Sequence, residues 1–235
     1  MNEDLRPVAE DVWVASRALS MPGGVRIPVN MTVIRLRDRS LLLHAPIALD
    51  DTAATALATL GPVRYVVAPN SFHHLFVTAC LARYPEAALY LAPGLPTKRP
   101  DLTATGILGA GTPPPWAAEV DCLVVDGAPK LREVAFFHRA SGSLLVTDLL
   151  FNVTDPANVA TGLVLRLMGT HRRLAVSRAW RFHTRDKKAQ RPTLEALLAW
   201  PFVRIVPGHG VVYEGAPPLP DARVAARAAF GSLLA

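Results

Sequence analysis

The sequence has few cysteines and no long apolar run. Cys80 and Cys122 are the only cysteines among 235 residues, and neither belongs to a C-x-x-C pair. This argues against a disulfide-stapled scaffold and against a cysteine-ligated zinc site. No apolar stretch approaches the roughly 18 residues that a membrane-spanning helix requires. The N-terminal residues carry acidic groups where a secretion signal has basic ones, so we expect a cytoplasmic protein with reduced, buried thiols.

Charged residues are also scarce, at 19% against 51% hydrophobic residues. This mixed, apolar-rich composition excludes collagen, coiled coils and wholesale disorder. The chain is long enough to bury a full core without a disulfide or a metal ion. We therefore expect a single domain over residues 1–235.

The basic residues are concentrated in one segment. Nine of them stand between Arg166 and Arg191, where Asp186 is the only acidic residue, although the net charge of the chain is only +6. Such a segment can be a solvated face, or it can bind a small anionic substrate, nucleic acid or an acidic membrane surface. Nucleic acid is the weakest of these choices, because no zinc knuckle, helix-turn-helix pattern or RNP-like aromatic motif accompanies the charge.

Apolar periodicity and turn residues predict two halves, each with strands first and helices afterwards. The predicted strands cover about 12–19, 30–37, 40–46, 63–68, 88–91, 122–125, 131–138, 143–147 and 203–206. The predicted helices cover about 50–60, 74–83, 158–168, 192–200 and 220–234, and the proline- and glycine-rich segment 93–115 is expected to be a loop. This order favours a four-layer αββα sandwich, with an ordinary α/β sheet as the alternative.

Histidine and aspartate side chains follow several predicted strands. His73 and His74 come after one buried strand, Asp148 ends another, and His209 follows the last one. The carboxyl ends of strands are where α/β sheets tend to place their sites. Imidazole and carboxylate groups together can bind zinc or iron. The alternative is that the paired histidines form a polar helix start and that Gly-His-Gly is a tight turn.

The ordered set of features resembles the metallo-β-lactamase superfamily. It comprises a hairpin ending at 40–46, a strand and loop over 66–74, a strand ending at Asp148, and a late Gly-His-Gly around His209, over roughly 8–213. Two segments resemble a divergent offshoot of that superfamily: Val-Ala-Pro-Asn-Ser-Phe-His-His-Leu-Phe and Val-Thr-Asp-Leu-Leu-Phe-Asn. The resemblance implies a four-layer αββα sandwich of metallo-β-lactamase type.

The main metal motif of that superfamily, H-x-H-x-D-H, is largely lost. When the motif is aligned to end at His74, Pro69 and Ser71 replace its first two histidines, and His73 replaces its aspartate. A further histidine expected near 126–129 is absent. The first metal position of the usual binuclear pair has therefore lost all three of its histidines.

The second metal position is better preserved. The resemblance leaves His74, Asp148 and His209 there, with His73 beside them, and this implies at most one metal ion. Zinc suits such mixed ligands, as iron and manganese also do, and a metal-bound water has a pKa near 7. His44 replaces an acidic residue at the end of the hairpin. It is either a hydrogen-bond donor behind Asp148 or a core histidine.

Two functions stay open at this stage. The first is a mononuclear metal-dependent hydrolase of an ester, thioester or phosphoester, a reaction type that the resemblance implies. Basic residues of the segment 166–191 would then bind an anionic group of a small substrate. The second is a metal-free, catalytically inactive protein that binds a ligand or partner, which the loss of four expected ligand identities favours. The sequence predicts neither the catalytic residues nor the oligomeric state.

Overall fold

The computed structural model describes residues 5–235. Within this range the chain forms eleven strands and seven helices, with short 3-10 turns at Pro22–Gly24 and Gly231–Leu233. The strands are β1 (Arg6–Ala9), β2 (Val12–Met21), β3 (Val25–Arg35), β4 (Leu41–His44), β5 (Val63–Ala68), β6 (Ala88–Leu91), β7 (Gly106–Ile107), β8 (Val120–Val124), β9 (Val134–His138), β10 (Ser143–Asn152) and β11 (Arg204–Gly210). The helices are α1 (Asp51–Leu60), α2 (Val77–Arg83), α3 (Leu95–Lys98), α4 (Val159–Met168), α5 (Arg178–His183), α6 (Lys187–Ala199) and α7 (Ala222–Phe230).

The first sheet contains β1 to β7 in sequential order. Neighbouring strands are antiparallel from β1 to β4 and parallel from β4 to β7. The three parallel pairs require crossovers, which contain α1, α2 and α3 in turn. The Asp50 carboxylate accepts a hydrogen bond from the Ala53 N–H and so begins α1. Both α1 and β5 lie where the sequence predicts them.

The second sheet has the order β11-β10-β9-β8. Successive side chains along its strands point alternately into two apolar cores, one on each face of the sheet. Val134 and Phe136 of β9 join the core shared with the first sheet. Ala135 and Phe137, from the other face of the same strand, join a second core with side chains of α5, α6 and α7. Because α1 and α2 pack on the first sheet, the layers are helix, sheet, sheet and helix. The predicted αββα sandwich is confirmed.

Several element boundaries differ from the sequence prediction, and the segment 93–115 and helix α6 are two examples. The segment 93–115 is not wholly irregular, since it contains α3 and the two-residue strand β7, which extends the parallel edge of the first sheet. Helix α6 begins at Lys187 rather than at Pro192, because the Asp186 side chain accepts the Ala189 N–H and caps the helix five residues earlier. Proline favours a helix start but does not require one.

Strand β10 continues past the predicted end at Thr147 and is interrupted by a bulge. Val146 pairs with Pro207 of β11, but the next pair along the two strands is Phe151 with His209. Residues 147–150 therefore lie opposite Gly208 alone, and Asp148 lies within this bulge rather than at a strand end. Bulges of this kind redirect side chains.

Helix α4 covers the hairpin formed by β2 and β3. Leu165 of α4 packs with Val25 and Ile27 of β3 in a small separate apolar cluster. The Asn158 side chain accepts the Thr161 N–H, which begins the helix, and donates to the Gly24 carbonyl at the hairpin tip. Among the described residues no helix has both the length and the apolar character needed to cross a membrane.

Candidate metal centre and adjoining cavity

Three side chains converge where β5, β10 and β11 approach one another. The Nε2 atoms of His73 and His209 are 3.2 Å apart. Oδ1 of Asp148 lies 3.3 Å from His209 Nε2, and its Oδ2 lies 3.7 Å from His73 Nε2. Among residues 5–235 these three form a group that could hold a metal ion.

The ring of His209 is fixed from both sides. Its Nδ1 lies 2.9 Å from the Pro28 carbonyl oxygen, which can only accept a hydrogen bond, so Nδ1 carries a proton. The ring also stacks on Phe151, with centroids 4.4 Å apart and planes 13° apart. In the neutral ring the lone pair is therefore on Nε2, which faces His73 and Asp148.

Gly208 allows the three side chains to meet. A Cβ atom at this position would lie 3.0 Å from His73 Cε1 and 2.9 Å from the Thr147 backbone. Any larger residue would therefore push the histidine ring or the bulge of β10 away. The Gly-His-Gly sequence is thus more than a tight turn, because its first glycine admits the ring of His73 beside His209.

Asn70, which sequence reasoning did not single out, links two parts of the site. Its Oδ1 accepts the N–H groups of Phe72 and His73, at 2.8 and 2.7 Å, and so shapes the loop after β5. Its Nδ2 donates to Asp148 Oδ2 at 2.6 Å and to Thr147 Oγ1 at 2.8 Å. The signal was available in the sequence, since an asparagine directly after a buried strand favours such a turn.

Glu133 was also missed, and it supports the bulge that carries Asp148. Its fully buried carboxylate accepts the N–H groups of Thr147 and Asp148, both at 2.7 Å, and of Leu149 at 3.1 Å. In a regular strand these groups would bond to a neighbouring strand. A glutamate between Leu131 and an apolar run was the available signal, because a buried carboxylate requires partners.

Burial and charge set the protonation of the site. Burial lowers the pKa of His73 to about 4, so its ring is neutral at pH 7. Burial acts to raise the pKa of Asp148, but the His73 and His209 rings and the Asn70 amide lower it to about 2. Burial, with the Asp148 charge, raises the pKa of Glu133 to about 7. A neutral imidazole and an ionised carboxylate are the forms that bind metal ions.

His74 lies apart from this group. Its Nδ1 is 3.0 Å from Arg99 Nη1, and its carbonyl oxygen accepts from the same guanidinium at 3.4 Å. Burial lowers the pKa of His74, and the charges of Lys98 and Arg99 lower it further. The structure thus brings together three of the four predicted ligands, His73, Asp148 and His209, and points the fourth elsewhere. Metal binding by any of them stays a prediction.

His44 is a buried side chain at the end of β4. Its ring packs edge-on against Phe136, with centroids 4.8 Å apart, and its Nε2 has no hydrogen-bond partner among the described residues. Burial, with a smaller effect of His73, lowers the pKa of His44 to about 3. No hydrogen bond joins it to Asp148 in the described part of the chain, so the geometry favours the core role.

An apolar cavity of about 350 Å³ adjoins the three-residue group. Its apolar walls come from the β2–β3 hairpin, the residues after β4, the loop after β5, the end of β10, and α4. Thirteen of its eighteen lining residues are apolar: Leu19, Met21, Ile27, Val29, Ala45, Pro46, Ile47, Phe72, Leu75, Phe76, Phe151, Val164 and Met168. The remaining five are His73, His74, Lys98, Asp148 and His209. Its size suits a small molecule, since ligand pockets measure about 300–1,000 Å³.

None of the nine basic residues of the segment 166–191 lines this cavity. All nine are exposed. None of them forms an ion pair with a carboxylate within residues 5–235. The expectation that they bind an anionic group of a substrate in the site therefore gains no support from the geometry.

A family model described as "Domain of unknown function (DUF4336)" matches residues 9–193. No curated protein matches the sequence significantly.

Many solved structures match over nearly the full chain. A metallo-β-lactamase from Pontibacter korlensis has a TM-score of 0.63 at 13% identity, covering 98% of each chain. DIM-1 metallo-β-lactamase exposed to ceftazidime has 0.65 at 10%, covering 97% of this chain and 96% of the other. The mono-zinc form of FIM-1 from Pseudomonas aeruginosa has 0.61 at 13%, covering 97% and 92%. These likenesses confirm the metallo-β-lactamase fold and, at such low identity, show the fold alone.

Proposed function

Because this chain belongs to the DUF4336 family, whose description assigns no activity, and has the metallo-β-lactamase fold, we propose that it is a mononuclear metal-dependent hydrolase. Its metal ligands are His73, Asp148 and His209, and its metal is zinc. We place it in the cytoplasm, which the free thiols of Cys80 and Cys122 support.

The spacing of the three ligand atoms carries this proposal. Two atoms that each lie 2.0–2.1 Å from a tetrahedral zinc ion are about 3.3 Å apart. Two of the observed separations match this value, with 3.2 Å between His73 Nε2 and His209 Nε2 and 3.3 Å between His209 Nε2 and Asp148 Oδ1. The third is wider, since Asp148 Oδ2 lies 3.7 Å from His73 Nε2. Three protein ligands leave one position open, which catalysis requires. The donor set therefore fits the metal.

The residues around the group prepare the ligand atoms. The Pro28 carbonyl holds the proton of His209 on Nδ1, and burial keeps His73 neutral. Asn70 donates to Asp148 Oδ2 and thereby turns Oδ1 towards His209. Such partners behind the ligands fix ring orientation and raise metal affinity.

A zinc ion held here supplies a Lewis acid and lowers the pKa of a water molecule towards 7. In ester or thioester hydrolysis, a water oxygen bonds to the carbonyl carbon, the carbon–oxygen or carbon–sulfur bond breaks, and a water proton leaves with the alcohol or thiol. Phe151 forms an apolar wall beside the three ligands, since its ring stacks on that of His209. His73 stays neutral throughout the neutral pH range, so its Nε2 can bind a metal ion in the tautomer that carries its proton on Nδ1.

The test compares two neighbouring histidines. We expect elemental analysis of the protein purified without chelator to give about one zinc per chain. His73→Ala should lose the metal, whereas His74→Ala should keep it, because the ring of His74 faces Arg99. Thermal unfolding of both variants, with and without zinc, controls for folding, since a ligand that binds the native state must stabilise it.

Three outcomes would contradict the proposal. Loss of metal in His74→Ala with retention in His73→Ala would reverse the ligand assignment. A wild-type protein that takes up no zinc, iron or manganese would have no metal-dependent activity. A metal-loaded protein that hydrolyses no carboxylic ester, thioester or phosphoester would bind metal for another purpose.

The metal-free alternative is supported by the same contact. The distance of 3.2 Å between His73 Nε2 and His209 Nε2 also suits an N–H···N hydrogen bond, in which His73 donates to the His209 lone pair. The site would then be a pocket that binds a ligand without catalysis. Absence of metal in the wild type, together with unchanged stability on zinc addition, would favour this function.

A further inference from the structure

The walls of the cavity differ in character from its polar end. The apolar residues come from five separate segments, whereas three of the polar residues are the group formed by His73, Asp148 and His209. Lys98 is the only cation among the lining residues. Its Nζ already donates to the Ser71 carbonyl at 2.5 Å and lies 4.9 Å from the centre of the Phe72 ring. The cavity therefore has few groups that could neutralise a highly charged phosphate, whereas its apolar walls can bury a hydrocarbon chain.

We propose that this cavity binds the acyl chain of a carboxylic ester or thioester, with the carbonyl group at His73, Asp148 and His209. This inference rests on the proposed hydrolase function and narrows its substrate class. Hydrolysis consumes one water, and releases the acid with its chain in the cavity and an alcohol or thiol outside it. The free carboxylic acid is therefore a product that binds the same walls.

Binding of unbranched carboxylates tests this proposal without catalysis. Titration calorimetry with chains of increasing length should show that the dissociation constant falls about fourfold for each added methylene until the cavity is filled. The series is run on chelator-treated protein and on zinc-loaded protein, and the chain-length dependence should be the same in both.

Two neighbouring residues of α4 provide a matched pair of variants. Val164 lines the cavity, whereas Leu163 points to solvent and is 56% exposed. Val164→Trp should fill the cavity and abolish the chain-length dependence, while Leu163→Trp should leave it intact. Met168→Trp, at the end of the same helix, repeats the test at a second lining position in case Val164→Trp does not fold.

Affinity that does not change with chain length would overturn the proposal, as would wild-type behaviour of folded Val164→Trp and Met168→Trp. These outcomes are distinguishable from failure of the hydrolase function. A protein that hydrolyses short and long esters equally well is a hydrolase without this acyl site. A protein that binds long chains but holds no metal has the acyl site without the hydrolase.

A second inference rests on a different face of α4, whose exposed apolar residues do not line the cavity. Val159, Leu163 and Leu167 are spaced four residues apart and form one stripe along the helix. They are 87%, 56% and 63% exposed. We call these three residues the α4 stripe. Soluble proteins seldom leave such contiguous apolar side chains in water without a partner.

Arginines surround the C-terminal end of the α4 stripe. Arg166 belongs to α4 itself, Arg173 donates to the Gly169 carbonyl, and Arg178 donates to the Leu167 carbonyl. All three are exposed. An apolar stripe with a basic border is the pattern of helices that lie in the interface of an anionic membrane. Nucleic acid would interact with the arginines but would leave the apolar side chains of the α4 stripe in water. A second copy of this chain would place arginines against arginines, and the like charges would repel.

We infer that the α4 stripe and its arginines bind the surface of an anionic lipid bilayer. Sedimentation with phosphatidylcholine vesicles, with and without phosphatidylglycerol, tests this inference. Binding should require phosphatidylglycerol and should fall steeply between about 0.1 M and about 1 M salt, as the screening length shortens. Replacing Arg166 and Arg173 by Gln should weaken binding about fivefold for each charge removed.

The apolar part has its own pair of variants. Leu163→Glu should abolish vesicle binding, whereas Val224→Glu should not, because Val224 is equally exposed but lies on α7, which packs against the second sheet. Equal binding to vesicles with and without phosphatidylglycerol would overturn the inference. So would the absence of vesicle binding, or a dimer in sedimentation velocity that Leu163→Glu dissociates, which would assign the stripe to a second copy of the chain.

Discussion

Glu133 holds the bulge that positions Asp148, and its removal should be among the most damaging single changes in this protein. The carboxylate is fully buried and accepts three backbone N–H groups, from Thr147, Asp148 and Leu149. Leaving a buried donor without an acceptor costs about 1–3 kcal/mol. Glu133→Ala should therefore lower the free energy of unfolding by about 3–9 kcal/mol, out of a typical total of about 5–15 kcal/mol.

Glu133→Gln separates the hydrogen bonds from the bulk of the side chain. An amide oxygen in place of Oε2 can still accept from Asp148, Leu149 and Asn70, but the amide nitrogen then faces the Thr147 N–H. One donor is left unsatisfied, so we expect a loss of about 1–3 kcal/mol. Metal affinity should fall as well, because the backbone that carries Asp148 is less well held.

The assay is equilibrium urea unfolding, with Glu86→Gln as the control. Glu86 is an exposed glutamate on the turn before β6, and its substitution should change the free energy of unfolding by less than about 0.5 kcal/mol. An unchanged urea dependence of that free energy would show that the variants unfold to the same state. If Glu133→Ala is as stable as Glu86→Gln, the bulge does not depend on the carboxylate and this account of the site is wrong.

Three further predictions concern residues around the site. Burial lowers the pKa of His44 to about 3. Between pH 6.5 and 3 this imidazole is therefore protonated in the unfolded chain but neutral in the folded chain. His44 alone therefore lowers the free energy of unfolding by about 2 kcal/mol from pH 7 to pH 5, and urea titrations should show that His44→Leu removes this part of the loss. Gly210→Ala should cost more than about 2 kcal/mol, because φ is 98° and the new Cβ would collide with the Asn152 carbonyl oxygen. Gly111→Ala, where φ is 70° in open space, should cost clearly less in the same assay, and an equal cost would refute the steric reason. Asn158→Ala should lower the melting temperature, since the cap of α4 contributes about 1 kcal/mol, and an unchanged melting temperature would contradict this role.

Much of the fold was predictable from the sequence, because local patterns decide it. The continuous apolar run of β5 and the acidic start of α1 both lie at the predicted positions. The ordered features pointed to the metallo-β-lactamase fold, which the structural comparisons confirm. Boundaries were less certain where two signals compete, as at α6, where Asp186 caps the helix before Pro192 is reached.

The sequence by itself determined which residue types are present for a site: two adjacent histidines, one aspartate and one late histidine. Which of the adjacent histidines joins the group was decided by the tertiary structure, because Asn70 shapes the loop and Gly208 leaves room for the ring of His73. Likewise, Glu133 is far from Asp148 along the chain. Its buried carboxylate stabilises the bulge only when β9 and β10 lie side by side. The local sequence around either residue does not indicate that the two side chains meet in space.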